Sequence, residues 1–399
     1  MARGLVCDNC GAEYPEEPRW LCERCFELLR VRYEAEEGKP GRRELADREM
    51  SLWRYRERLP VDRAGASEVG WTRLVEAKHL GERLGLERVY IKDEGTGSPT
   101  GCVEDRGAAV AAAKSQEFGY EAVACATMGA GAAPVAAACA RAGVRCYVFA
   151  PPGGEREPLL GASKMGAKVV LLDGRREEAE RFCRDAADEY GWGFLNLHLK
   201  PYWAEGIKTL FFEVAEQLGW KLPDQFVIYV GSGVLAKESA KAEKELRGMG
   251  IEKNRGMRVY GVQLESCAPI ARALSNDNGC VTAWEGSSTA GPSDPAWGKA
   301  AAEAIRRSKG TCQTVSKEEA EKGGELLAET EGLLRGVRTG ASVWATKKLA
   351  ENGKLRPEAV TVIAATERPV EEMRGSARSL RRIRPRLSDF DKLMRNGFG

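Results

Sequence analysis

Four cysteines near the start of the chain, Cys7-Asp-Asn-Cys10 and Cys22-Glu-Arg-Cys25, form two Cys-X-X-Cys pairs separated by eleven residues. That spacing lets four thiolates close a tetrahedron around one zinc ion. One isolated pair could be a redox couple, whereas two in register point to zinc. Four cysteine ligands leave no open position for substrate, so the expected role is structural. About thirty residues cannot bury a core of their own, and the metal is expected to supply most of the module's folding free energy. A second candidate is Gly231-Ser232-Gly233, a turn between the apolar run ending at Val230 and a helix start. Backbone N–H groups at such a turn can bind phosphate, although Val234 and Leu235 follow at once and restrict the backbone approach an anion needs. Cys267 has no evident activating partner, and with only two histidines in the chain a Cys-His nucleophile is not expected.

These residues must be positioned by a sizeable body. At 399 residues the chain is long enough for two or three domains. With 61 basic against 59 acidic residues, no whole-protein field argues for nucleic acid or a membrane. The Ala-rich runs are broken by Lys, Arg and Glu well short of spanning length, and the start lacks a charged segment followed by an apolar one. Clustered and scattered cysteines in a long chain suit a reducing compartment, so a cytoplasmic protein is expected. Strand-like runs alternate with helical ones, as in Val89–Asp93 then Ala108–Phe118, and Ala122–Ala126 then a helix start. That alternation calls for parallel sheets covered on both faces.

The run from Lys92, Lys-Asp-Glu-Gly, followed by Pro99-Thr-Gly-Cys-Val-Glu-Asp-Arg-Gly107, resembles the pyridoxal-phosphate (PLP) enzymes of fold type II, and within them threonine synthase. Lys164–Gly174, Tyr202–Thr209, Gly261–Ile270 and Glu331-Gly332-Leu333 are similar to further segments of that family. The resemblance covers most of residues 5–370 and implies two doubly wound α/β domains, tryptophan synthase β-like, plus an N-terminal zinc ribbon. It divides the chain into a ribbon (1–35), a connector packed on the body (36–70), an N-terminal α/β domain (71–195), a C-terminal α/β domain (196–370) and a basic tail (371–399).

In the family the lysine after Ser-Phe forms the imine with the cofactor aldehyde, and here that position is Glu104. A carboxylate cannot make an imine. Ala130 stands where the family asparagine meets the ring oxygen, the last two residues of the family's phosphate-binding Gly-Ser-Gly-Gly-Asn have become Val234-Leu235, and Val360–Pro369 has lost the glycines of the segment that meets the pyridine nitrogen, with Thr366 the nearest substitute. The resemblance therefore implies a pseudoenzyme: a dimer-forming scaffold, regulator or sensor of an anionic ligand, with PLP in doubt. The first alternative is an active PLP-dependent lyase using a relocated lysine, Lys237 or Lys92. The second is a nucleic-acid or ribonucleoprotein partner acting through the ribbon and the arginines of the tail, from Arg374 to Arg395.

Overall fold

Runs with no polar face, such as Phe226-Val-Ile-Tyr229 and Val362-Ile-Ala-Ala365, are stable as strands only when both sides of the sheet are covered. Both lie in the interior of a parallel sheet in the computed structural model, which describes residues 2–33, 42–61, 68–196, 198–250, 256–275, 295–369 and 380–397. The chain divides into two compact units, one comprising Met1–Val69, Glu104–Gly206 and Val370–Gly399, the other Gly70–Val103 and Ile207–Pro369.

The second unit is built on six strands in the order Cys312–Val315, Arg258–Leu264, Gln225–Tyr229, Val360–Ala365, Arg88–Asp93 and Arg73–Glu76. All neighbours run parallel except the last pair, which is antiparallel. Ile91, Val227, Val262 and Ile363 pack with Leu327, Val343 and Leu349 of two flanking helices, Lys317–Glu331 and Val337–Glu351. The sequence reading places residues 71–103 in the N-terminal domain. In the structure they complete the C-terminal sheet, because Arg88–Asp93 pairs with Val360–Ala365 along its whole length. Pairing partners so far apart in the chain leave no local signal.

The first unit carries five parallel strands in the order Arg381–Ile383, Lys168–Leu172, Arg145–Ala150, Ala122–Ala126 and Gly193–Phe194. The cysteine-bearing segment forms a separate antiparallel sheet with Ala2–Cys7 between Glu13–Tyr14 and Leu29–Tyr33. In the described part of the connector, Leu52, Trp53, Leu59, Val61 and Val69 pack on Ala109, Val110 and Ala113 of helix Glu104–Glu117. This helix begins four residues before the sequence reading starts it, so Glu104 is its first residue and not part of a loop.

The arginines of the tail, which by sequence read as a solvated helix face or part of a dimer contact, are exposed where described, at Arg381, Arg382, Arg384, Arg386 and Arg395, yet the segment that carries them is woven into the unit. Arg381–Ile383 extends the sheet beside Lys168–Leu172, and helix Leu387–Asn396 buries Phe390 completely among Tyr147, Phe149, Phe182 and Trp192. Arg382 pairs with Asp173 and Arg384 with Asp389, which neutralises part of the charge run. Met373, Arg374, Arg378 and Phe398 lie outside the described residues. Phe390 makes edge-on contacts at 5.4 Å with Phe149 and 6.2 Å with Trp192, so Phe390→Ala is expected to cost about 3–5 kcal/mol by denaturant unfolding. A loss below about 1 kcal/mol would show the tail to be a loosely held appendage.

Candidate functional site

The four predicted metal ligands come together. Ligand atoms of Cys7, Cys10, Cys22 and Cys25 all lie within 4.8 Å of one another, with Cys7 and Cys25 sulfurs 3.4 Å apart and Cys10 and Cys22 sulfurs 3.6 Å apart. A tetrahedral zinc site with Zn–S bonds of about 2.3 Å needs sulfurs about 3.8 Å apart, so this donor set can hold the ion. The two knuckles repeat one backbone design. The amide two residues on donates to the first sulfur of each, Asn9 to Cys7 and Arg24 to Cys22, both at 3.4 Å. The amides of Cys7 and Cys22 donate to the carbonyls of Ala12 and Glu27, both at 2.9 Å. Each second cysteine is followed by a left-handed residue, Gly11 at φ 70° and Phe26 at φ 56°.

Sequence reasoning missed Tyr14, whose hydroxyl lies 3.1 Å from the Cys22 sulfur and accepts the Glu23 amide. At Cys22, burial raises the thiol, but hydrogen bonds from Tyr14 and from the Arg24 and Cys25 amides outweigh it and bring the group to about 6. Burial pushes Cys7 up to about 12. Polar contacts tie the ribbon to its unit: Tyr33 donates to buried Glu205 at 2.7 Å, Tyr202 donates to the Glu17 carbonyl at 2.7 Å, and Lys114 pairs with Glu16. Glu205, singled out by sequence only as part of Glu-Gly-X-Lys-Thr, thus anchors the ribbon.

Glu104 is half-buried at the N-terminus of an α-helix, with Asp105 beside it. The positive end of a helix dipole favours a carboxylate and disfavours an ammonium, so the acid suits this place electrostatically. Among the described residues three lysines are buried, and each is held by carboxylate. Lys92 donates to Glu213 at 2.8 Å, to the Thr72 carbonyl at 2.8 Å and to Gln217 at 3.1 Å. Lys208 pairs with Glu245 at 2.9 Å, and Lys114 lies 2.6 Å from Glu117 as well as against Glu16. Lys92, offered by sequence as a relocated imine lysine, is therefore committed to an internal ion pair. Lys237 is less enclosed: its amine is 3.2 Å from Glu238 and 5.2 Å from the centre of the Trp297 ring.

The Gly231–Gly233 turn has a packing reason for its last glycine. Gly233 sits at φ 88°, and a Cβ there would come within 2.7 Å of the Trp297 carbonyl. Gly231 has open space and Ser232 is exposed, while Val234 and Leu235 are buried. In the other unit, Ala130 lies in the turn after Ala122–Ala126, and neighbouring Gly129 at φ 138° is pressed against Glu155.

The segment after Val360–Ala365 is held by contacts internal to its unit. Glu367 lies 3.2 Å from the Arg338 guanidinium, accepts the Arg338 amide, and rests on Gly336 so closely that a Cβ would overlap it. Arg368 donates to the carbonyls of Gly95 and Gly97 and covers Gly101. Beside them Arg335 grips Asp93 with two contacts of 2.6 Å. The hydroxyl of Thr366 is buried without a hydrogen-bond partner among the described residues.

Comparison with known proteins accords with these features. The family described as pyridoxal-phosphate dependent enzymes matches residues 66–367. The threonine synthase of Methanosarcina acetivorans is 33% identical over 90% of this chain and 90% of its own. That of Methanocaldococcus jannaschii is 32% identical over 87% of each. Among solved structures, diaminopropionate ammonia lyase from Escherichia coli superposes with a TM-score of 0.64 at 16% identity, covering 85% of this chain and 93% of that one. Threonine deaminase isoform 2 from Solanum lycopersicum does so at 0.62 and 18%, covering 76% and 88%. The chain belongs to the pyridoxal-phosphate dependent enzyme family, with threonine synthases among its relatives, and has the fold of type II members.

Proposed function

We propose that this chain is a threonine synthase-like protein that has given up the family's imine chemistry and serves as a non-catalytic scaffold or ligand-responsive regulator. The observation that carries the proposal is Glu104 at the imine-lysine position, at a helix start that favours a carboxylate. PLP supplies an electron sink when it is bound through an amine. The residues present do not fit that linkage, because the buried lysines are paired internally and the residue at the anchor is an acid. The charges in the segment that lacks the family's glycines add support. Glu367 and Arg368 are met by Arg338 and by the carbonyls of Gly95 and Gly97, so both are paired within their own unit.

The reading of an active lyase draws on the threonine synthase relatives and on the buried Thr366 hydroxyl, which has no hydrogen-bond partner among the described residues. It would need Lys237 as its amine, since Lys92 is engaged by Glu213, Gln217 and Thr72. Absorbance of the purified protein, with and without added PLP, separates the two readings. The expected result is no yellow aldimine band, and an unchanged intact mass after borohydride reduction. A pyridoxyl adduct that disappears in Lys237→Ala would overturn the proposal.

We infer further that Cys7, Cys10, Cys22 and Cys25 hold one structural zinc ion. Metal analysis is expected to give one zinc per chain, lost in Cys22→Ser. Stripping it with a chelator should lower the thermal midpoint, since the antiparallel sheet of the ribbon has little core of its own. Each thiolate must be deprotonated to bind the ion, so zinc affinity is expected to fall as pH is lowered. Fewer than one zinc per chain at neutral pH, or a metal content that Cys22→Ser leaves unchanged, would contradict this assignment.

A further inference from the structure

The second unit contains a basic cavity at the opposite end of its strands from Thr366. It has a volume of about 510 Å³ and lies where strand Arg258–Leu264 begins and helix Pro295–Arg307 ends. Four cationic residues line it, Arg258, Arg307, Lys309 and Arg356, against a single acid, Glu243. That acid is already spent on Arg247, at 2.7 Å.

Internal pairing does not balance these cations. Arg307 has Glu303, and Arg356 has only loose neighbours, Asp224 at 3.6 Å and Glu358 at 3.9 Å. The Nε of Arg356 is buried and finds no acceptor among the described residues, a cost that an unmade charged hydrogen bond ordinarily imposes only where something else completes it. Arg258 and Lys309 meet no carboxylate among the described residues. Lys309 also holds a left-handed backbone at φ 61°, where glycine is the usual occupant. A lysine there takes on conformational cost for the sake of a side chain, and its charge also suits the helix C-terminus.

The cavity is anchored. Gln225 accepts the Arg356 amide at 2.8 Å, and the Val259 amide donates to the Ser308 hydroxyl at 3.0 Å. Cavities of about 300–1,000 Å³ enclose metabolite-sized ligands. Guanidinium groups favour tetrahedral oxyanions through paired N–H donors. We propose that this cavity binds a small phosphate monoester, its phosphate on Arg258, Lys309 and Arg356 and its carbon skeleton in the remaining volume, which exceeds what a phosphate alone fills. The proposal does not depend on the reading of Glu104 and would stand equally in an active enzyme.

Calorimetry on the full chain tests it, with glycerol 3-phosphate as the probe, inorganic phosphate as the fragment and glycerol as the neutral control. Glycerol 3-phosphate is expected to bind at about 1 mM or tighter, at least as well as phosphate, with no heat from glycerol. Arg258→Gln and Lys309→Gln, each with an unaltered thermal midpoint in the absence of ligand, are expected to weaken binding about tenfold. In the unaltered chain, glycerol 3-phosphate should slow acetylation of Lys309. Three results would overturn the site: no binding at about 10 mM, binding of inorganic phosphate alone, or affinity and acetylation that these changes and the ligand leave untouched.

Discussion

A charge withdrawn from water must be met by its opposite or be lost, and that constraint orders this protein. Lys92 is closed in by Glu213, Lys208 by Glu245, and Lys114 by Glu16 and Glu117. An imine-forming lysine has to be the reverse: neutral for part of the time and free to react. Within the described residues each buried amine is therefore used as a fixed cation, and the position the family reserves for a reactive one holds an acid at a helix start. One rule accounts for both facts: charges taken out of water settle into pairs.

The same rule explains why the substituted segments are coherent. An isolated change of glycine to Glu or Arg at the end of a buried strand would leave a charge without a partner. Here Glu367 is matched by Arg338 and Arg368 by two glycine carbonyls, while Gly336 and Gly101 give the room these side chains occupy. The departure from the family at residues 366–369 is thus met in two other stretches of the same unit, at 95–101 and at 336–338.

Much of this was legible in sequence because it is local. The cysteine pairs announce the metal cluster, and the segments from Lys92 to Gly107 and from Lys164 to Gly174 announce the fold. What was not legible depends on partners distant in the chain. Nothing near residue 90 says that Arg88–Asp93 pairs with Val360–Ala365, and so the domain boundary was placed after the wrong elements. The arginines around 381–395 read as a solvated run, since charge dominates the composition there. Only the fold shows that Phe390 enters an aromatic cluster formed by strands two hundred residues earlier. Tyr14 was invisible for a subtler reason: a tyrosine eight residues from a cysteine carries no pattern, yet the ribbon's turn sets its hydroxyl against the Cys22 sulfur.

The ribbon's contacts would give a metal on its four cysteines a reach beyond its own knuckles. Glu205 and Tyr202 open helix Lys200–Gln217, and Lys114 stands on the helix that begins at Glu104; all three touch the ribbon. Helix Glu104–Glu117 is in turn packed by Leu52, Trp53 and Val69 of the connector. Loss of a metal held there would release the ribbon's sheet and with it the Tyr33–Glu205 hydrogen bond, so the cost would fall on the body as well as on the ribbon. A cysteine cluster kept in a member that lacks the imine lysine is understandable on these grounds: the ribbon braces the start of helix Lys200–Gln217 and the last turn of helix Glu104–Glu117, and neither contact depends on whether an amine or an acid stands at residue 104.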